Sequence, residues 1–288
     1  MMQPVWLIPL VAGVVYLMLF MFERRFPLRC AKRSVWRRAR VNVIITILAL
    51  GTAAVTVSPA VGYLLRLPPE YQFGLLGLLH LPVALEFGIA FVLFDWSFYW
   101  WHRANHHVPL LWRFHNVHHV DPDLDVTTAF RFHVVEIVFS AVFRVMQVVL
   151  IGPAAWMYFI YELVFISGTL FHHSNIKLPL RTERMLNKMF VTPRMHGIHH
   201  SNMRHETNSN YSTVFSCWDR LHRTLRLNVE QGQIRIGVPG YALPQDNRPL
   251  NLLKMPFNTQ RQYWRDLNGL PRVKRPETHT IGRVTEMH

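Results

Sequence analysis

Residues 95–119 read DWSFYWWHRANHHVPLLWRFHNVHH, an aromatic-rich helix end that runs directly into a dense group of histidines. His102 and His106 stand four apart, and His115, His118 and His119 follow as HxxHH. On an α-helix, residues three and four apart share a face, so each set can aim its imidazoles at one centre. A second HxxHH, made of His196, His199 and His200, repeats the device beyond a long apolar interval.

Upstream of this stretch the chain is organised for a bilayer. Residues 4–22 form an apolar run about long enough to cross the hydrocarbon core, followed by a dense series of arginines and lysines from Arg24 to Arg40. A secretory signal carries its charges on the other side of its apolar core, so this segment is expected to remain as an anchor. The positive-inside rule then puts the basic loop in the cytoplasm and the N-terminus outside. Residues 41–65 make a second span, ended by Arg66, Pro68, Pro69 and Glu70, because adjacent prolines cannot continue helical hydrogen bonding. Residues 75–101 make a third, whose closing aromatic residues fit headgroup depth and whose end at Arg103 returns the chain to the cytoplasmic side.

Downstream, the apolar runs 134–151 and 154–171 are joined by Gly152 and Pro153 and read as a helical hairpin that either crosses or dips in part-way. Both ends of a hairpin lie on one side, so His172, His173 and the second HxxHH are expected beside the first group. The expected fold is an all-α, multi-span integral membrane helical bundle with a cytoplasmic histidine-rich cap. It divides into anchor spans and basic loop (1–93), a catalytic region containing the hairpin (94–225) and a cytoplasmic, loosely ordered tail (226–288).

Composition agrees with a membrane protein. Half of the 288 residues are hydrophobic and only 17% are charged, a balance above that of soluble domains. The +14 formal charge falls next to an apolar segment and in the last third, with no nucleic-acid module, so nucleic acid is excluded as a partner and the charge is read as a topology signal. The two cysteines, Cys30 and Cys217, match no CxxC metal or redox pattern.

Neutral imidazole is a ligand for iron, zinc, copper and nickel. Eight histidines in three groups, with His173 as a ninth, exceed the three or four that one zinc site uses, and two metals would occupy them. There is no HExxH, since His205 and Glu206 precede Thr207 and Asn208, and no Glu-x-x-His pair of the soluble di-iron bundles. Each ligating ring needs an acceptor for its other N–H. Asp95, Asp121, Asp123, Glu136, Glu162 and Asn210 are candidates by position, with Asp95 favoured as a carboxylate near a span end and residues 121–125 read as a solvated loop.

The motifs DWSFYWWHRANH, HNVHH, HHSN and HGIHH, followed by NSNYS and WDRLHRT, resemble the integral-membrane fatty acid hydroxylase and sterol desaturase superfamily over residues 94–225. The layout is also similar to the alkylglycerol monooxygenase branch. The resemblance implies two non-haem iron ions that use O2 and an external electron donor, such as cytochrome b5 or a ferredoxin, to hydroxylate or desaturate a lipid C–H bond. It implies His102, His106, His115, His118, His119, His173, His196, His199 and His200 as ligands, with His172 able to exchange with His173. His133 is placed beside the site as ligand or substrate-side neighbour, and Asn210 as either an acceptor for a ligand or a turn residue. Val134 and Arg223 depart from the residues, Pro and Gly, that many relatives carry there.

Tyr99, Trp100, Trp101 and Trp112 are expected either to line a lateral substrate entrance or to form an aromatic belt. Arg144, in an apolar run, is either functional or snorkels into water. His107, His205 and His222 are expected to face solvent. A histidine-rich metal carrier or haem-binding protein is the rival from another class; its ligands should line a pathway through the spans.

Overall fold

The computed structural model describes residues 6–67, 74–79 and 81–271. The prolines expected to end the second span and residues 272–288 of the tail lie outside that set. Among the described residues the protein is helical, with isolated β-bridges in place of strands. The membrane-side helices are α1 (Leu7–Arg25), α2 (Val35–Val55), α3 (Val57–Leu64), α4 (Leu75–Leu79), α5 (Val83–His107), α6 (Pro109–His119), α7 (Val134–Ile151) and α8 (Ala155–His173). Shorter helices follow: α9 (Leu180–Leu186), α10 (Pro193–His199), α11 (Arg204–Thr207), α12 (Cys217–Leu221) and α13 (Pro249–Lys254).

Four segments are long and apolar enough to cross a bilayer: Leu7–Arg25, Val35–Leu64, Val83–His107 and Val134–Ile151. They expose apolar side chains along their outer faces, among them Leu10, Leu17 and Met21 on α1 and Ile44, Ile47 and Leu50 on α2. Lipid satisfies that surface, and each helix satisfies its own backbone. Helix α8 is not among the four; it packs inside against α1 and α5. The core there joins Phe94, Tyr161, Val148 and Ile151, held together by close van der Waals packing, since lipid offers no hydrophobic driving force between helices.

Helix boundaries depart from the sequence expectation for local reasons. The third span begins at Val83, because Pro82 is its N-cap and separates it from the five-residue α4, and it continues to His107. His102 and His106 are therefore on the spanning helix itself. The second span begins at Val35, so Arg37, Arg38 and Arg40 lie on a helix and not in a loop. It breaks at Thr56 (φ −120°, ψ −70°), where the Thr52 and Thr56 hydroxyls donate to carbonyls four residues back at 2.8 and 2.7 Å. Gly152 ends α7 in the left-handed region (φ 68°), and Pro153 follows, giving the sharp turn into α8.

One end of the bundle gathers the end of α1, the start of α2, the end of α5, the start of α7 and the end of α8. Buried ions tie it together. Asp121, Asp123 and Asp125, expected in a solvated loop, are buried instead. Asp121 accepts from Arg38, Asn42 and Thr128 at 2.8–2.9 Å, Asp125 pairs with both Arg38 and Arg24, and Asp123 accepts the backbone N–H of Lys32 and Arg33. Burial is the largest influence on Asp125 and opposes its ionisation, but Arg38, Thr127 and Arg24 together overcome it and hold the carboxyl below its ordinary value. Glu23 accepts the N–H of Val126 and Asn175, joining α1 to the segments that follow His119 and His173.

The expected loose tail is ordered through residue 271. Leu252 and Met255 are buried against Trp112, Val117 and Val120 of α6 and its end, and Trp112 stacks on Trp264 with ring centroids 5.8 Å apart. The last third of the chain thus packs behind the first HxxHH.

Candidate metal centre

Helix α5 presents His102 and His106 one turn apart. Val108 is extended, and Pro109, pre-set for the first helical turn, starts α6, which carries His115, His118 and His119 back against α5. His172 and His173 end α8, and α10 supplies His196 and His199, with His200 at its C-cap. Gly197 lets α10 approach Arg29, since a Cβ there would collide with the guanidinium, which is held by Gln231 at 2.7 Å.

The side chains converge as two adjacent groups. His102, His106, His115, His119 and His199 form one, and His118, His173, His196 and His200 the other; within each, one ligand atom per residue lies within 4.8 Å of all the others. The groups interlock, because His119 stacks on His200 at 4.4 Å between ring centroids.

Hydrogen bonds fix which nitrogens face inward. Nδ1–H of His102 donates to the Tyr211 carbonyl at 2.8 Å, of His115 to Glu136 at 2.7 Å, of His173 to the Thr169 carbonyl at 2.8 Å and of His199 to the Ser209 carbonyl at 2.7 Å. Carbonyl and carboxylate oxygens only accept, so these rings carry their proton on Nδ1 and present a bare Nε2. In the second group Nε2 atoms approach in sequence, His118 to His173 at 3.1 Å, His173 to His196 at 3.0 Å and His196 to His200 at 3.1 Å. In the first, Nε2 of His115 and His199 and both nitrogens of His106 and His119 are buried without a hydrogen-bond partner among the described residues.

Unpaired buried acceptors are costly, and lone pairs converging at 3 Å repel unless a cation lies among them. The donor set therefore fits metal ions, and neutral imidazole suits a borderline transition metal. Burial first, then the neighbouring rings, holds His118, His119, His196, His199 and His200 well below the ordinary imidazole value of 6.5, which keeps them neutral and competent to ligate.

The acceptors come largely from backbone. The carbonyls of Ser209, Tyr211 and Thr213 point to His199, His102 and His172, respectively (2.7, 2.8 and 3.0 Å). Two carboxylates hold the other side of that segment. Asp219 accepts from the N–H of Tyr211 and Ser212 and from Thr224, while Asp95 accepts from the N–H of Val214 and Phe215 and from the Trp218 indole at 2.7 Å. NSNYS and WDRLHRT are thus the two halves of one bracket.

This revises several expectations. Asp95 acts on the 214–218 segment and not on an imidazole. Asn210 is a turn residue at φ 56°, whose amide donates to the Met195 and Arg226 carbonyls. His133 caps α7, its Nδ1 accepting from Val135 N–H and its Nε2 bonded to the Leu253 carbonyl, so both nitrogens are engaged away from the groups. His172 lies outside both groups, 4.2 Å from the His196 ring centroid. His107 is exposed as expected, whereas His222 is half-buried and stacked on Tyr99. Arg223 adopts φ 57°, a left-handed conformation that glycine takes without steric cost, which fits the glycine expected there from the resemblance. Position alone nominated Glu136 among several acids; its contact with His115 selects it.

An apolar cavity of about 220 Å³ opens on both groups. Phe98, Trp101, Phe132, Ile137 and Phe165 line it, and His102, His115, His118, His173 and His196 form one end. Of the four aromatic residues considered for an entrance, only Trp101 reaches this cavity; Tyr99 and Trp112 are buried elsewhere and Trp100 is exposed. Arg144 does not snorkel. It is buried at the cavity wall, paired with Glu162 at 3.1 Å and seated against the Phe165 ring.

Residues 87–224 match the family model for fatty acid hydroxylases. The chain is 30% identical over 159 residues to an ornithine lipid hydroxylase of Rhizobium tropici, covering 55% of this chain and 47% of that protein. It is 30% identical over 143 residues to human alkylglycerol monooxygenase, covering 49% and 31%, and 31% identical over 137 residues to human cholesterol 25-hydroxylase, covering 47% and 49%. No solved structure matches significantly. The helical bundle with its apolar, span-length helices and two convergent histidine groups thus has the make-up of a membrane protein with a candidate metal centre, and residues 87–224, the region that carries those histidines, are similar to the fatty acid hydroxylase family. The chain spans less than half the length of these relatives.

Proposed function

We propose that the chain is a membrane-bound, non-haem di-iron oxygenase that hydroxylates a lipid C–H bond with O2 and electrons from a redox protein. The observation that carries this is the pair of all-histidine groups, with bare inward nitrogens, at the end of an apolar cavity reached from the spans. His102, His106, His115, His119 and His199 would hold one iron, and His118, His173, His196 and His200 the other. The metals, when bound, supply O2 activation and removal of hydrogen from an unactivated carbon.

The chain supplies geometry and dryness. Phe98, Trp101, Phe132 and Phe165 bind an acyl, ether-lipid or sterol chain by apolar burial and exclude water from the reacting carbon. Glu136 and the carbonyls of Thr169, Ser209 and Tyr211 hold the ligand rings in one tautomer. Residues 94–225 form the catalytic unit, and the basic residues before α2 favour a cytoplasmic placement of the histidine layer. Desaturation by the same ligands is the alternative outcome, and the names of the three relatives given above, hydroxylases and a monooxygenase, favour hydroxylation. A metal carrier is disfavoured because the ligands close on one layer and do not line a path.

Mass spectrometry of host lipids with and without the gene should reveal an added oxygen on one lipid class. His118→Ala and His199→Ala should each abolish that product while the protein remains inserted and loses iron. Full turnover and full iron content in either variant would overturn the assignment.

A further inference from the structure

On the far side of the histidine layer from the lipid cavity lies a groove of about 950 Å³. One wall is the start of α2 with the residues just before it, and the other is residues 235–248. Arg33, Arg37, Arg40, Arg235 and Arg248 line it and are exposed; among the described residues none of the five enters an ion pair, and no carboxylate lines the groove. Arg38 and Arg131 at its base are different, since both are buried with Asp121 nearby.

The floor is the back of the metal centre. Val120 and Asn202, which line the groove, follow His119 by one residue and His200 by two. Asn202 N–H donates to the Arg235 carbonyl at 2.7 Å, Gly237 N–H to the His200 carbonyl at 3.2 Å and the Asn247 amide to the Val120 carbonyl at 3.2 Å. The arginine-bearing wall is therefore hydrogen-bonded directly to the backbone of two histidine-bearing turns.

We propose that this groove is the docking site of an acidic one-electron carrier protein, which delivers reducing equivalents through the backbone behind His119 and His200. The proposal rests on the hydroxylase reading. A monooxygenase reaction balances as RH + O2 + 2 e⁻ + 2 H⁺ → ROH + H2O, so the donor must deliver one electron in each of two encounters, and RH, buried in the opposite cavity, is not displaced by it. Five uncompensated guanidinium groups around a concave floor match a surface of several carboxylates and steer its approach. A single lipid phosphate would engage one or two of them and leave the rest unpaired.

The test is binding, read apart from turnover. Iron-loaded protein in nanodiscs of neutral phosphatidylcholine is titrated with two acidic probes, a [2Fe–2S] ferredoxin and a soluble cytochrome b5 haem domain. At least one should bind, with affinity falling about tenfold or more as salt rises from about 0.05 to 0.5 M. R235E/R248E on one wall, and separately R37E on the other, should weaken it about tenfold, while product formed with reduced methyl viologen as donor is unchanged. Wild-type affinity in both variants overturns the proposal, as does wild type that binds neither probe yet makes product with methyl viologen. Phosphatidylglycerol retained by wild type and lost by the variants, with probe affinity unchanged, overturns it in favour of a lipid headgroup site. Iron-loaded wild type that makes no product with any donor overturns the hydroxylase reading, and the proposal with it.

Discussion

At the scale of single residues, the site depends on what stands behind each imidazole. Among the described residues Glu136 is the carboxylate that bonds one of the nine grouped rings, through His115 Nδ1 at 2.7 Å. Glu136→Leu would leave that N–H unpaired and the ring free to turn, so metal affinity should fall about 10–100-fold, read as iron retained per chain during a chelator challenge, with Glu136→Gln recovering much of it because its amide oxygen still accepts. The ligand candidates were legible in the sequence because i, i+3 and i+4 spacing translates directly into a shared helical face. Their acceptors were not, because most are main-chain carbonyls, and a carbonyl leaves no letter in the sequence. The signal lay in NSNYS, but it drew attention to the Asn210 side chain when the contacts come from the carbonyls of Ser209 and Tyr211 beside it.

At the scale of elements, α7 connects the metal layer to the cavity. Glu136 lies in its first turn, and Ile137, Ser140 and Arg144 line the apolar space further along. Ser140→Phe should fill much of the space beyond that point, about a turn from Glu136, so activity should shift toward lipids with shorter chains while iron content holds; product profiles across chain lengths read this directly. Unchanged chain preference would remove α7 from the substrate path. The hairpin of α7 and α8 could be anticipated from Gly152 and Pro153, since the αL cap and the proline are local signals. The break of the second span at Thr56 and the internal role of α8 could not, because hydropathy alone does not separate a helix facing lipid from one packed among its neighbours. Asp95 illustrates the same limit: its position near a span end marked it as partnered, but its partners are on the 214–218 segment, more than a hundred residues away.

At the scale of the whole molecule, two sets of struts hold the histidine layer. One is the buried Arg38–Asp125 and Glu23 network that fastens α1 and α2 to the segments following the ligands. Because Asp125 is held below its ordinary value of 3.8, its contribution is present above that value and is lost as pH falls through its lower folded value. Asp125→Asn leaves Arg38 with Asp121 as its remaining carboxylate partner and should therefore cost about 1.5–3 kcal/mol at neutral pH, and the gap from wild type in thermal unfolding should narrow under acid. The other strut is the C-terminal segment, whose packing was illegible because its apolar residues follow no period that marks a helix or strand. Leu252 is fully buried among Trp112, Val117 and Val120, on the helix that carries His115, His118 and His119. Leu252→Ala should cost about 2–5 kcal/mol and, if the segment's work is to hold α6 in register, should also release iron faster than Leu→Ala changes of equal cost on the lipid-facing side. Equal iron loss at equal destabilisation would reduce the segment to general support, whereas preferential loss makes the segment around Leu252, which carries no ligand itself, part of the metal-holding apparatus.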